Sequence, residues 1–256
     1  MTQLKFELDE PMFHAVDFGH FRAAHAADDA DLSLVYERVN AVWEDWRPFL
    51  QDHPQPSISG SSALAPEILA TVLRDRLGVG NGPIPNVNWV LSNLGIVLGK
   101  MPQTSENISA FSCWVFDQPL VLVKTEGGGR KRVRFDAAHE LGHLLMHREF
   151  APSKLAEKQA NRFAGSLLIP AQALPATGIK PFAWQVVESI SEAFGVTRLA
   201  ALKRAEELRL ISEPVYRAAL IHASRLGWNK RDPEDEGLPE STPDTPGFSF
   251  RHHDSF

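Results

Sequence analysis

Apolar residues recur at spacings of three and four along much of the chain, which predicts a series of amphipathic helices. Six of these helices are predicted at about 66–77, 87–94, 154–168, 184–193, 199–208 and 213–226. Pro66 at a helix start, and Gly78 and Gly95 just past helix ends, are typical start and stop signals. The first helix is predicted from about residue 31 to 49, with apolar positions Leu32, Val35, Val39, Val42, Trp43 and Trp46.

Short runs of aliphatic residues interrupt this helical pattern and predict a few strands. Residues 96–98 form one such run, and residues 108–116 and 120–123 flank a turn at Asp117-Gln118-Pro119, which predicts a hairpin. Together the two patterns predict an α+β fold: a small antiparallel or mixed β-sheet packed on a helical core, with additional N- and C-terminal helices. We expect a hairpin strand to offer its free edge to an extended peptide.

Changes in composition divide the chain into four segments. Residues 1–60 are predicted to be an N-terminal helical segment ending in a Pro/Gly/Ser linker, and residues 61–180 to be the central domain. Residues 181–228 read as a C-terminal helical region, in which Ala193-Phe194-Gly195-Val196-Thr197 resembles the turn of a helix-turn-helix. Residues 229–256 are rich in Pro, Asp, Glu, Ser and Thr and are predicted to be disordered.

Composition and charge restrict the expected binding partners, cellular location and type of metal site. A net charge of −6 gives no overall attraction to nucleic acid, so any DNA contact is expected to be weak or indirect. The sequence shows neither a secretion signal nor an apolar run of roughly 20 residues, so a cytoplasmic location without membrane contact is expected. Cys113 is the single cysteine, which excludes an intrachain disulfide framework and a Cys-rich zinc site.

The chemistry that stands out is His139-Glu140-Leu141-Gly142-His143, an H-E-x-x-H pattern. On a helix, His139 and His143 project from one face a single turn apart and can bind the same metal ion. Glu140 lies beside them, where its carboxylate can take a proton from water as a general base. The alternative is an ordinary amphipathic helix with histidines on its polar face.

A third ligand is predicted on the next helix. Glu157 follows His143 by fourteen residues, and two antiparallel helices joined by a short loop would bring it opposite the histidines. The ligand set is then His139, His143 and Glu157 around Zn²⁺. Asn161, one turn further, is placed to accept the second ring N–H of a ligand histidine. The alternative for Glu157 is a solvated acid near the start of a helix.

Two further residues are of types that can bind a metal ion. His147 lies one turn after His143, but a straight helix does not wrap three successive turns around one ion, so a supporting or packing role is favoured. Cys113 lies in the predicted hairpin, and its thiolate is a candidate inhibitory fourth zinc ligand. The alternative for Cys113 is a small apolar core residue.

These motifs resemble the ImmA/IrrE family of bacterial and phage-associated metallopeptidases over about residues 63–172. The matching order is Ile108-Ser109-Ala110-Phe111-Ser112, a hairpin, Arg134-Phe135-x-x-Ala138-His139-Glu140-Leu141-Gly142-His143, and Glu157-x-x-Ala160-Asn161-x-Phe163-Ala164-x-x-Leu167-Leu168-Ile169-Pro170.

The resemblance implies a zinc endopeptidase that cuts a helix-turn-helix repressor and so derepresses a stress, prophage or defence operon. Some family members carry an N-terminal helix-turn-helix domain that is not recognised in this sequence, which implies a separately encoded DNA-binding partner. The alternative is a non-proteolytic regulatory module that binds a partner protein or DNA and holds zinc structurally.

Overall fold

A computed structural model describes residues 16–21, 29–52, 63–103, 109–124, 129–148, 153–175, 178–228 and 232 of the chain. For residues 16–21 the description covers the backbone. The predicted linker at 52–62 and the predicted tail at 229–256 lie almost wholly outside the described residues, apart from Asp52 and Asp232.

The strands form a four-stranded mixed sheet in the order β1-β3-β4-β2. The predicted hairpin consists of β3 (Ala110–Val115) and β4 (Gln118–Val123), paired antiparallel with Ala110 opposite Val123. The edge strand β2 (Val97–Lys100) runs parallel to β4, and the edge strand β1 (Val16–Phe21) runs antiparallel to β3. The mixed sheet confirms the predicted α+β class.

Strand β1 corrects the prediction that residues 1–60 contain only helix and linker. Its sequence, Val-Asp-Phe-Gly-His-Phe, alternates apolar and polar residues for only three positions before Gly19 interrupts the pattern. Pairing with β3 supplies the backbone hydrogen-bond partners that so short a segment lacks on its own. The predicted helix at 31–49 is confirmed as α1 (Asp29–Asp52).

The two faces of the sheet contact different helices. Side chains alternate along a strand, so Phe111, Cys113 and Val115 of β3 lie on one face. They pack against Val35, Val39, Val42 and Trp46 of α1. Ala110 and Trp114 lie on the other face and belong to the larger core that contains the remaining helices.

The other predicted helices are confirmed, with boundaries within a few residues of the expected ones. Three of them have a side-chain cap in the first turn: Asn86 accepts from the backbone N–H of Trp89, Ser153 from Ala156, and Thr197 from Ala200. The helices are α2 (Pro66–Arg76), α3 (Val87–Asn93), α4 (Arg130–Met146), α5 (Lys154–Leu168), α6 (Trp184–Phe194), α7 (Arg198–Glu207) and α8 (Glu213–Arg225).

Helix α4 is the central helix of the larger core. From Val133 to Met146 every residue except Phe135 is buried, because α4 lies between the sheet on one side and α5 on the other. A helix covered on all sides carries no single apolar stripe. Its His and Glu residues are therefore held in the interior by their neighbours rather than displayed on a polar surface.

The C-terminal helices pack on the same core as α4 and α5. Gly195 ends α6 in the left-handed conformation, and α7 begins three residues later. Ala201, Leu202 and Ala205 of α7 belong to the cluster that also contains Leu167 of α5. Within the part of the chain that the structure describes, no helix is both long and apolar enough to cross a membrane.

Candidate metal centre

Helices α4 and α5 carry the three predicted ligands and bring them together. His139 and His143 of α4 are both fully buried, and Glu157 lies in the first turn of α5. The two helices approach closely at Gly142, where an added Cβ would lie 3.2 Å from the Cα of Ala160 and 3.0 Å from the Phe163 ring. This close approach lets a glutamate on α5 reach the histidines of α4.

Three donor atoms converge on one point. The Nε2 atoms of His139 and His143 are 3.0 Å apart, and the Glu157 carboxylate oxygens lie 3.3 Å and 3.2 Å from them. Ligands about 2.0–2.1 Å from a tetrahedral ion lie roughly 3.3 Å from one another. Among the residues that the structure describes, these three form the group that could hold a metal ion. The donor set and its spacing therefore fit a metal ion.

The ring of His139 is oriented by Asn161, as the sequence predicts. The Asn161 Nδ2 amide donates to the backbone carbonyl of Glu157 at 2.8 Å, which turns its Oδ1 toward His139 Nδ1 at 3.2 Å. An amide oxygen only accepts, so His139 Nδ1 carries the hydrogen. The electron pair of Nε2 is left facing the metal position.

His147 lies behind His143, on the side of the ring that faces away from the metal position. It follows the last residue of α4 and is nearly fully buried, with its Nδ1 3.1 Å from Nδ1 of His143. Its Nε2 lies 3.0 Å from the Oε1 of Gln159 on α5. His147 therefore contacts a ligand histidine through the ring atom that faces away from the metal position.

The ionisation states of the ligands suit a cation. Burial lowers the pKa of His143 to about 4, so its imidazole is neutral near pH 7. Glu157 is half-buried in the first turn of α5, where its carboxylate faces the Nε2 atoms of both imidazoles. Neutral imidazoles and an ionised carboxylate are the forms that bind metals.

Glu140, the predicted general base, is fully buried beside the ligands. Its Oε2 accepts a hydrogen bond of 2.5 Å from the hydroxyl of Ser112 on β3. Sequence reasoning did not single out Ser112. Ser112 could have been recognised as a hydroxyl residue among apolar neighbours. It lies on the strand face shared with Ala110 and Trp114, which is the face that packs on α4.

The structure does not bring Cys113 to the ligands and corrects its assignment as an inhibitory fourth ligand. Cys113 is fully buried and faces α1 on the opposite side of the sheet from Ser112, because neighbouring residues of a strand point in opposite directions. Burial, with a smaller contribution from the charge of Glu140, raises the pKa of its thiol. Cys113 is thus a small apolar core residue in this structure.

The expected free edge of the hairpin is also corrected. Strand β3 pairs with β4 on one side and with β1 on the other, where His20 lies opposite Ser112 and Phe21 opposite Phe111. The edge of β3 that does not pair with β4 is thus occupied by the N-terminal strand of the same chain.

Two comparisons with known proteins bear on this site. Residues 91–206 match the family model described as Peptidase_M78, the IrrE N-terminal-like domain. The match begins in α3 and extends into α7, so it covers both helices that hold the three ligands. A search of curated proteins found no significant match. Residues 91–206 are therefore similar to the IrrE N-terminal-like domain of the Peptidase_M78 family, in agreement with the resemblance found in the sequence.

Proposed function

We propose that this protein is a zinc-dependent endopeptidase that cleaves a helix-turn-helix transcriptional repressor. The observation that carries the proposal is the convergence of His139, His143 and Glu157, with the Glu140 carboxylate next to them in the interior. A catalytic zinc site has three protein ligands and keeps a fourth position open, whereas a structural site is closed by four. A set of three thus supports a catalytic metal.

The residues of the chain divide the work of peptide hydrolysis. Zinc, when bound by the three ligands, supplies Lewis acidity toward water and the scissile carbonyl. Glu140 takes a proton from the attacking water and passes it to the leaving amine. The hydroxyl of Ser112 holds the carboxylate of Glu140 in position. Burial of Glu140 excludes bulk water and strengthens these electrostatic interactions.

The repressor substrate rests on family likeness, and so does the proposed role in a stress, prophage or defence operon. A repressor linker in extended conformation can add to a sheet as a further strand. Because β1 occupies the outer edge of β3, such a substrate either displaces β1 or pairs with the outer edge of β1. Displacement of β1 would place the extended chain alongside β3, the strand that carries Ser112, whereas pairing with the outer edge of β1 would leave β1 between the substrate and β3.

The alternative function, a regulatory module that binds DNA and holds zinc structurally, is less well supported by the C-terminal helices than the peptidase function is by the ligand site. Phosphate binding requires exposed cations on the helix that enters the groove. On α7, Arg198 contacts Asp232 and Glu188, and Arg204 donates to the carbonyl of Ile169 at 3.0 Å. Both guanidinium groups are buried, and the exposed Lys203 of the same helix pairs with Glu206 at 2.8 Å.

The decisive experiment compares wild type with Glu140→Gln, each co-expressed with a candidate helix-turn-helix repressor and each assayed for metal content. Glutamine keeps the size of the side chain but cannot accept a proton from water. We expect the variant to retain one zinc per chain and to lose cleavage. Glu157→Gln serves as the matched control, because it removes a ligand and should reduce both metal content and cleavage.

Three outcomes are informative. Persistent cleavage by Glu140→Gln would show that the assigned mechanism is wrong. A wild-type protein that purifies without affinity for zinc would contradict the metal centre. A zinc-loaded wild type that hydrolyses an unfolded test protein but leaves the repressor intact would contradict the proposed substrate alone.

A further inference from the structure

The contacts behind His143 extend beyond the residues identified as ligands. His143, His147 and Gln159 are linked by two polar contacts, of 3.1 Å between the two Nδ1 atoms and 3.0 Å between His147 Nε2 and Gln159 Oε1. Both histidines are buried, and Gln159 is half-buried on α5. The three side chains therefore connect the far side of the metal position to the second helix.

The chemistry of these groups fixes the direction of each hydrogen bond. An amide oxygen only accepts, so His147 Nε2 must donate its hydrogen to Gln159. In the neutral ring His147 Nδ1 is then the acceptor, and the facing Nδ1 of His143 must be the donor. A neutral His143 with its hydrogen on Nδ1 has the electron pair on Nε2, the atom that faces Glu157 and His139.

We infer that Gln159 is a positioning residue that acts through His147 to hold His143 in the tautomer that binds metal. Asn161 does the same for His139 directly, so each ligand histidine is oriented by an amide oxygen of α5. Gln159 and Asn161 are two residues apart, but Asn161 contacts its ligand histidine directly, whereas Gln159 contacts His147, which in turn contacts His143. The inference rests on the proposed metal centre.

The test measures zinc affinity by competition with a chromogenic chelator in Gln159→Leu, Gln159→Glu and wild type. Removing a group that orients a ligand histidine typically costs about 10- to 100-fold in metal affinity. We expect Gln159→Leu to bind zinc at least about tenfold more weakly than wild type, since it lacks the acceptor oxygen. Gln159→Glu keeps an acceptor oxygen and should restore most of the affinity.

Lys158→Leu is the matched control. Lys158 is the exposed neighbour of Gln159 on the same helix, so this substitution changes hydrophobicity and helix propensity without touching the histidines. Its zinc affinity should equal that of wild type.

A second measurement separates positioning from a general loss of structure. In the metal-free protein, long-range proton–nitrogen NMR of the imidazole rings reports which nitrogen of His143 carries the hydrogen. Wild type should show the Nδ1–H form, and Gln159→Leu should show a larger share of the Nε2–H form with an unchanged amide spectrum elsewhere.

Because the three groups act as one unit, their effects should not add. In a His147→Leu background, Gln159→Leu should cause no further loss of zinc affinity. Wild-type affinity in Gln159→Leu, an equal loss in Gln159→Glu, or fully additive losses in the double variant would each overturn the inference. Failure of the wild type itself to bind zinc would instead overturn the proposed function.

Discussion

At the scale of single residues, Ser112 and Cys113 show how one position along a strand separates two roles. They are neighbours on β3 and both are fully buried, yet Ser112 bonds the carboxylate of Glu140 and Cys113 packs against α1. The two positions therefore form a natural pair for testing what the β3 face contributes to catalysis.

Ser112→Ala should lower kcat while leaving KM and zinc affinity unchanged. A hydrogen bond to a charged group contributes about 1.5–3 kcal/mol, which corresponds to roughly a 10- to 100-fold change in rate if the bond is needed in the transition state. Steady-state kinetics on a zinc-loaded sample measures the effect, and Ser112→Thr, which keeps the hydroxyl, should recover much of it.

Cys113→Ala is the matched comparison at the next position and should leave basal proteolysis unchanged, contrary to the inhibitory role that the sequence suggested. A rise in activity after this substitution would mean that the thiol reaches the metal in another conformation. An unchanged kcat in Ser112→Ala would mean that Glu140 is positioned by other contacts.

At the scale of elements, the contact between α4 and α5 determines whether Glu157 reaches the histidines. Gly142 lies at a close approach of the two helices, where an added Cβ would meet the Phe163 ring at 3.0 Å and the backbone of α5, at the Cα of Ala160, at 3.2 Å. Gly165, also in a helix, has room for a Cβ, because the nearest atoms would lie at 3.8 Å, an ordinary van der Waals distance. The same substitution should therefore have opposite effects at the two positions.

Gly142→Ala should lower both stability and zinc affinity, because the backbone of α5 must move outward by a few tenths of an ångström. Gly165→Ala should raise stability by up to about 1 kcal/mol, since alanine favours the helix over glycine. Thermal unfolding and chelator competition measure the two quantities. Equal changes in the two variants would show that helix propensity, rather than the α4–α5 distance, decides the outcome.

At the scale of the whole molecule, one large core joins the ligand helices to most of the chain. Residues of α2 to α8 and of the sheet belong to the same cluster, and a metal ion held by the three ligands would link α4 to α5. Binding at that point is coupled to folding, since the unfolded chain has no such site.

Zinc should accordingly raise the unfolding temperature of the whole chain. Free zinc at 100 times the dissociation constant adds about 2.7 kcal/mol, or roughly 5–10 °C for a chain of this size. Differential scanning calorimetry with zinc and with chelator measures the shift, which Glu157→Gln should largely remove. A shift of equal size in that variant would place the binding elsewhere.

The sequence by itself determined the local features of this protein. The H-E-x-x-H spacing, the position of Glu157 in the first turn of a helix, and the alternation and turn residues of the hairpin depend on contacts within a few residues of one another. These features led to His139, Glu140, His143, Glu157, Asn161 and His147, to the resemblance to IrrE-like peptidases, and to most helix boundaries.

Only the tertiary structure decided the features that depend on distant partners. Strand β1 exists because β3 supplies its hydrogen-bond partners, about 90 residues further along the chain. The helices that cover the sheet decided what each residue of β3 contacts: Ser112 lies on the face covered by α4, and Cys113 lies on the face covered by α1. Gln159 met His147 because Gly142 and Ala160 let two helices approach closely. A sequence pattern shows the period of an element, whereas the partner on each face is determined by packing.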